Sequence, residues 1–598
     1  MASSNLERWR KKQAEVARSR RNRKMPLLTC IAISGVVVIF VVFYLAFKMF
    51  NSKSSREVRP LLRPGIQDEV MMPPRRSPTE PINMDALSDK AAPDLEELLK
   101  RLRDALSPFQ TQYLKSIGEP VPDCNPIVWT GPTTGFVPGC PMRGCRQFTS
   151  LEEAKVACER ESDCGGVVHS GGMFEMRSGF KIRGSLVDEQ SYVRTSCSRR
   201  STPSDVWDAF RDSIEESLDD PELNLDTSYA PAREDGSIYV SISSYRDNTC
   251  RDTLKHLFMR AQNPGLVFVG LVQQNCNVQN CMTGTGWGNT RRWIKQDGPD
   301  LDCLEEFCEE NPQLCETNIR VLRLSEREAY GPFFSRYLNS KLWRGENIYL
   351  QIDAHTEFRQ DWDVSVVEQM RATPSYPYSV ISNYPPDGLA DNDKAWPASK
   401  STSLTPSALC GLTFEDAGGK HHTVRLGQNS RRFDKNVRSD VPHHSAFVAA
   451  GFFSAHGKIV DAVPFDPFMP YLFMGEEISL SIRFWTSGFD IYAPSYDFLR
   501  HEYVRKESPK FWESVGMVFG NGNMHNGLTD LIIPRVQALV KWKEESESDE
   551  SVFTLQERYQ IGTARTREQF VKIMNIDTEN LKQTPPRWCK AGTNYPEL

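Results

Sequence analysis

At 598 residues, with 39% hydrophobic and 25% charged side chains, the chain is long enough for several domains and fits neither wholesale disorder nor a polytopic membrane protein. Its formal net charge of −6 conceals an asymmetry: residues 1–25 hold nine Lys/Arg against Glu7 and Glu15, so the rest of the chain is acidic. A surface that tracks phosphate backbone needs the opposite balance, which argues against nucleic acid as a partner of the large domain.

After the basic tail (1–25), residues 26–47 (PLLTCIAISGVVVIFVVFYLAF) form an uncharged apolar run. At 1.5 Å rise per residue this reaches across roughly 30 Å of hydrocarbon, so it reads as one transmembrane helix. It exceeds the usual apolar stretch of a cleaved signal peptide, about 7–15 residues, and no clear A-x-A site follows. The basic block before it predicts a short cytosolic tail with the rest of the chain on the other side, single-pass type II. The cysteines agree: of fifteen, Cys30 lies in the span and the others all fall at or after Cys124, a dense set that suits disulfides in an oxidising lumen. The absence of any Asn-x-Ser/Thr sequon pulls the other way.

Residues 48–117 read as linker and stem. A Pro-, Arg- and Ser-rich stretch is followed by leucines at helical spacing (Leu95, Leu98, Leu99, Leu102, Leu106), a stem helix or short coiled coil. Residues 118–200 hold six cysteines, Cys124, Cys140, Cys145, Cys158, Cys164 and Cys197, a density that stands in for a hydrophobic core. The stretch FTSLEEAKVACERESDCGGVVHSGGMFEMRSG resembles a PAN/apple-type module, a class that binds protein or carbohydrate; a plain structural spacer is the alternative.

From Gly236 the pattern changes. Ser237–Tyr245, Leu266–Gln274, Ile319–Leu324 and Asn347–Ile352 read as strands, with helices at Thr253–Ala261 and Glu326–Trp343 between them. This alternation predicts an α/β domain over 236–510 with a mainly parallel sheet, helices on both faces, and ligands beyond the carboxyl ends of the strands. Residues 511–598 form a C-terminal extension with an amphipathic region near Ile532–Lys543.

Asp353-Ala354-His355 follows the apolar run NIYLQI directly. On extended backbone, residues i and i+2 project to one side, so a carboxylate and an imidazole can converge on one metal ion; a turn or a surface pair is the plain alternative. Downstream, Gly475 precedes Glu476 and Glu477 at the start of an amphipathic stretch, where two acids either serve the helix dipole or face a substrate hydroxyl. His501, beyond the run FDIYAP, is a candidate third ligand. The pairs His421-His422 and His443-His444 lie in a Gly/Ser/Arg-rich stretch that reads as a long loop. No phosphate-binding P-loop, nucleophile elbow or dinucleotide fingerprint occurs in the large domain, which removes kinase, serine hydrolase and classical dehydrogenase readings.

Three ordered motifs, SIYVSISSYRDNTCRDTLKHLFMRAQNPGLVFVGLVQQ, LQIDAHTEF and MPYLFMGEEISLSIRFWTSGFDIYAP, resemble the GlcNAc-transferase family of GT-A enzymes. That family includes protist polypeptide and hydroxyproline α-N-acetylglucosaminyltransferases. The motifs also echo the mucin-type GalNAc-transferases, whose metal site uses an Asp-x-His and a distant His. The resemblance implies a GT-A fold, a Rossmann-like mixed sheet, and a divalent metal, Mn²⁺ or another, held by Asp353, His355 and His501 against the diphosphate of a UDP-sugar. It places Ser243, Tyr245, Arg246, Arg336 and Asp353 at the donor, and Glu476 or Glu477 at the acceptor hydroxyl with Trp485 beside it. The implied activity is retaining transfer of GlcNAc from UDP-GlcNAc to Ser/Thr or hydroxyproline of secretory-pathway proteins, with the catalytic domain in the Golgi lumen. Alternatives are another UDP-hexose, a glycan acceptor, or an inactive carbohydrate- or protein-binding type II surface protein.

Overall fold

The computed structural model describes residues 95–596 apart from 118–127, 196–200, 220–230, 286–291, 388–405, 417–421, 427–440, 515–521, 542–548 and a few shorter stretches. The basic tail, the expected anchor at 26–47 and the linker before Leu95 lie outside the described residues. Among those described, no helix is long and apolar enough to cross a membrane.

The first described elements are helices α1 (Leu95–Ala105) and α2 (Ser107–Ile117). Leu98, Leu102, Leu106, Phe109 and Tyr113 recur every three or four residues and so share one face. That face forms no free-standing coiled coil. It is buried in the core of the large domain, where the Phe109 ring meets Phe210 of α4 (Pro203–Asp219) at 5.1 Å and Tyr330 at 4.8 Å. Burying each of these side chains is worth about 1.5–3 kcal/mol, enough to make the helical part of the stem an integral piece of the domain.

Between α2 and α4 lies a small five-stranded antiparallel sheet of β1 (Val128–Thr134), β2 (Gln147–Phe148), β3 (Gly166–Ser170), β4 (Met173–Arg177) and β5 (Gln190–Thr195), in the order β1-β5-β3-β4-β2. Helix α3 (Leu151–Glu159) packs Ala154 and Cys158 onto Cys164, Val167 and Met176. The disulfides Cys140–Cys145 and Cys158–Cys164 supplement this small core, and buried Arg194 ties the helix end to the sheet by donating to the carbonyls of Cys158 and Glu161, both at 2.7 Å.

The large domain is built on an eight-stranded sheet: β6 (Ile238–Tyr245), β7 (Val267–Asn275), β8 (Ile319–Ser325), β9 (Ile348–Asp353), β10 (Ser379–Ser382), β11 (His443–His444), β12 (Phe452–His456) and β13 (Asp490–Ala493). Their order is β8-β7-β6-β9-β12-β10-β13-β11. The central strands β7 and β9 are buried along nearly their whole length because both faces of the sheet are covered. Ile238, Val240, Ile242, Ile348, Leu350 and Ile352 pack under α5 (Cys250–Met259) and α7 (Trp362–Arg371). Tyr239, Phe268, Tyr349 and Phe453 face a second core containing α1, α2, α4, α6 (Pro332–Ser340), α8 (Glu476–Thr486) and α9 (Gly522–Val540).

Three details depart from the sequence reading. The sheet is mixed, as the family resemblance implies, and not mainly parallel as the strand–helix alternation alone suggests: β12 runs antiparallel to both β9 and β10, and β11 antiparallel to β13. The stretch expected as one helix over Glu326–Trp343 is a 3₁₀ turn at Glu326–Glu328 followed by α6, because Gly331 takes φ 95° and Pro332 opens a new helix at its first position. Finally, His443-His444 is an edge strand, with His444 buried between the rings of Tyr492 and Tyr595. The C-terminal extension is woven into the domain, through α9 against the second core and through the Cys410–Cys589 disulfide. Cys250–Cys303, Cys276–Cys281 and Cys308–Cys315 brace the cysteine-rich insertion against α5 and the end of β7.

Candidate active site

The site forms at the carboxyl ends of β6 and β9. Asp353 is the last residue of β9 and lies in register with Ser243 of β6. The chain then turns sharply: Thr356 Oγ1 donates to the Asp353 carbonyl at 2.8 Å, and Thr253 of α5 caps the turn by donating to the Ala354 carbonyl at 2.9 Å. The return segment Thr356–Phe358 pairs antiparallel with Leu499–His501, with Thr356 opposite His501. That pairing carries His501 across 145 intervening residues to the side of His355, with ring centroids 4.6 Å apart.

Asp353, His355 and His501 can each offer a ligand atom such that all three lie within 4.8 Å of one another. His501 Nε2 stands 3.0 Å and His355 Nε2 3.9 Å from Asp353 Oδ2. His355 Nδ1 is 2.7 Å from Asp247 Oδ2, so that nitrogen donates and Nε2 keeps its lone pair for the centre of the cluster. Asp247, just beyond β6, is held in turn by Arg505 at 3.0 Å. Burial alone would raise the Asp247 carboxyl, but the charges of Arg505 and His355 outweigh it and hold it below the ordinary carboxylate range. Asp353 behaves likewise: desolvation is overcome by the His501 hydrogen bond and the Arg336 charge, and the group stays ionised. Burial lowers the His501 pKa, favouring the neutral, ligating imidazole.

These donors fit a divalent cation: one ionised carboxylate, two imidazoles with inward-facing nitrogens, and a carboxylate behind one of them. Two further observations leave room for a ligand. Ser243 Oγ is buried with no hydrogen-bond partner among the described residues, and Gly451 approaches Asp353 so closely that a Cβ there would lie 3.0 Å from Oδ2.

Arg336, on α6, links the cluster to the acidic pair. One nitrogen contacts Asp353 Oδ1 at 3.0 Å and another forms a short contact to Glu476 Oε1. Glu476 and Glu477 open α8 behind Gly475, whose φ of 98° and whose contact with Val536 exclude a side chain. The two acids differ. Glu476 is buried and committed to Arg336. Glu477 is partly exposed; Tyr384 OH donates to its two oxygens at 2.8 and 2.9 Å, and the Ala450 amide donates at 3.2 Å. Burial pushes Glu477 up to about 7, against the opposing pull of these hydrogen bonds.

The remaining expected site residues are placed less centrally. Arg246, 1% exposed, is engaged by Asp300 at 2.7 Å and Glu326 at 2.7 Å, where it pins the cysteine-rich insertion to the end of β6. Tyr245 is partly buried against Phe511 at 5.5 Å. Trp485 is not beside the acids: it lies nine residues along α8, about 13 Å of helix rise, fully buried against Phe570 and Tyr595. Its place in an apolar helical stripe explains it as core. The sequence reading missed Asp247, Arg505 and Tyr384. Asp247 carried a usable signal, an acid two residues beyond the end of a buried strand; the other two are brought in by loops.

A family model described as Glycosyltransferase (GlcNAc) matches residues 237–580. The chain belongs to the GlcNAc glycosyltransferase family. The match runs past residue 510 and takes in most of the C-terminal extension, in keeping with its packing. No curated protein matches the chain. Among solved structures, the protein is similar to GalNAc-T7 with UDP, GalNAc and Mn²⁺ (14% identity, 61% of this chain and 64% of that chain, TM-score 0.32). It is also similar to S. aureus TarS 1-349 in complex with UDP-GlcNAc (12% identity, 54% and 76%, TM-score 0.23). The chain thus spans less than two thirds of the length of the first.

Proposed function

We propose that this protein is a metal-dependent glycosyltransferase that moves GlcNAc from UDP-GlcNAc to a hydroxyl of a secretory-pathway polypeptide, with retention of the α-configuration, from the luminal face of the Golgi membrane. The observation that carries this reading is the convergence of Asp353, His355 and His501 at the carboxyl end of the sheet, beside the unpartnered Ser243 hydroxyl. Membership of the family supports the sugar. The apolar segment 26–47 and six disulfides among the described residues support the compartment.

On this reading Asp353, His355 and His501 hold Mn²⁺ or another divalent cation, which when bound supplies Lewis-acid stabilisation of the charge developing on departing UDP. Ser243 donates to the donor nucleotide. Asp247 keeps His355 in the ligating tautomer. Arg336 balances Asp353 and Glu476, so that a half-buried and a buried carboxylate coexist beside an anionic substrate. Glu477, ionised, accepts the hydrogen bond of the acceptor hydroxyl and orients it. The new C1–O bond forms on the face from which the C1–O–phosphate bond breaks, and the hydroxyl proton leaves with the diphosphate.

The test is release of UDP by the purified full-length chain from a panel of UDP-sugars, with a Thr-rich acceptor peptide, in Mn²⁺ or EDTA. Mn²⁺-dependent turnover of UDP-GlcNAc that vanishes in an Asp353→Ala, His355→Ala variant is the expected result. Turnover of a different UDP-hexose would keep the chemistry and discard the sugar. Silence with every donor and acceptor would sink the enzymatic reading in favour of a binding protein.

A further inference from the structure

The segment after β10 touches both halves of the site. Asn383 Nδ2 donates to buried Asp497 at 2.8 Å, fixing where the segment leaves the sheet. Tyr384 then turns its hydroxyl onto Glu477. The next carbonyl, Pro385, accepts from Tyr503 OH at 2.6 Å, and Pro386 accepts from the backbone amide of His501 at 3.1 Å. Asp387 forms an isolated parallel bridge with His501. Five successive residues thus bind, in order, the approach to the ligand strand, the acid on α8, and the ligand strand itself. The two prolines limit the backbone freedom between these contacts, so the spacing from His501 to the Tyr384 hydroxyl is stiff.

We propose that Tyr384 is a positioning residue: it fixes the Glu477 carboxylate at a set place relative to the metal ligand His501, through the Asn383–Asp387 segment. This rests on the proposed transferase reading and names which of the two acids serves the acceptor. Glu476 is held by direct contact with Arg336, whereas the hydrogen bonds Glu477 accepts come from neutral donors, Tyr384 and the Ala450 amide. The titratable and charged groups facing Glu477 are Tyr384 and Tyr503 from the loops, Glu476 from its own helix and Arg336 from α6; Arg425 acts on the Tyr384 side. Of these, Tyr384 alone donates hydrogen bonds to both Glu477 oxygens among the described residues.

The experiment uses the full chain and compares Tyr384→Phe, which keeps the ring, with wild type and Glu477→Gln. Removing a donor to a carboxylate raises its pKa, so the acidic limb of the kcat profile moves to higher pH in Tyr384→Phe and is absent in Glu477→Gln. We expect kcat at neutral pH to fall about 10- to 100-fold while KM for UDP-GlcNAc and Mn²⁺ affinity stay at wild-type values. An infrared difference titration of the Glu477 carboxyl, identified by its loss in Glu477→Gln, reads the same shift without turnover. An unmoved carboxyl midpoint in a folded Tyr384→Phe protein would overturn the proposal. A moved midpoint with unchanged kcat would also overturn it, since Glu477 would then not serve the reaction. If wild type turns over no donor, the transferase reading fails, and the infrared titration still decides whether Tyr384 governs Glu477.

Discussion

Strand β9 carries a histidine–carboxylate contact at each end. At its amino end His456, the register partner of Ile348, places Nε2 2.8 Å from Glu234 Oε1. The Lys458 amide donates to His456 Nδ1 at 3.2 Å, so both ring nitrogens are engaged and Nε2 carries the proton. Glu234 is further held by Tyr376 and Asn347, and its side chain is 64% exposed. At the carboxyl end His355 and His501 turn ring nitrogens toward one Asp353 oxygen, and Asp247 stands behind His355. The first arrangement is a closed hydrogen-bonded pair. In the second, more than one lone-pair donor faces the same point, which water or protein protons alone satisfy poorly and a cation satisfies well. Pairing of His with a carboxylate is therefore uninformative; convergence of a third ligand makes the difference.

The largest effect is expected at Asp353. Asp353→Ala removes a ligand and leaves Arg336 paired with Glu476 alone, so Mn²⁺-dependent turnover should fall on the order of 10³-fold or more. Isothermal titration with Mn²⁺ checks the cause: a variant that still binds Mn²⁺ at wild-type affinity would make the convergence incidental. One step further out, Asp247→Asn loses the carboxylate that orients His355, and should weaken Mn²⁺ affinity about 10- to 100-fold while leaving the fold intact. The loss should be larger than any change at the amino end of β9.

Glu477 gives the carboxyl end of β9 a pH dependence that has no counterpart at the amino end. Its pKa is raised to about 7 by burial, and its ionised form does the work, so kcat should fall as pH drops through about 7 and level off above it. The effect approaches about tenfold per pH unit on the acid side. The stability consequence has the opposite sign. A carboxyl whose folded pKa lies above its unfolded value favours the folded state at low pH, and that contribution is lost as pH rises through about 7. Activity and stability should therefore diverge between about pH 4.5, the ordinary value for this carboxyl, and about pH 7 in wild type, and Glu477→Gln should remove both trends. Rate and melting measurements over that range check this.

These contrasts also mark where sequence stops being readable. Asp353-Ala354-His355 is legible because an apolar strand ends on it, and Glu476-Glu477 because Gly475 precedes an amphipathic helix. The strands β6 to β9 are legible from buried β-branched runs. Hydrophobic periodicity carries no strand direction, which is why the antiparallel insertion of β12 into the sheet is not visible in it. Nor does it say what an amphipathic face will meet, and so the α1–α2 leucines read as a stem although Phe109 lies in the main core. His501 could be nominated only as a histidine after a strand; the pairing with Thr356 that brings it to His355 is a long-range fact. Tyr384 gave no signal, since a tyrosine before two prolines is an ordinary loop. Trp485 misled because an aromatic side chain near two acids in sequence is far from them along a helix.

The smallest expected effect is at His456, and it is the control that gives the others meaning. His456→Asn keeps a polar atom near the Nδ1 position for the Lys458 amide and gives up the Nε2 contact with Glu234. Because Glu234 is mostly exposed, its carboxylate returns to water and no buried charge is left unpaired. The stability change should be about 1 kcal/mol or less, and kcat should stay within about twofold of wild type, since nothing in that pair converges on a third group. A thermal melt and a turnover assay on the same preparation measure both. If His456→Asn instead reduced Mn²⁺-dependent turnover as strongly as Asp247→Asn, the two ends of β9 would be coupled through the strand. Convergence of ligands would then not be what separates them.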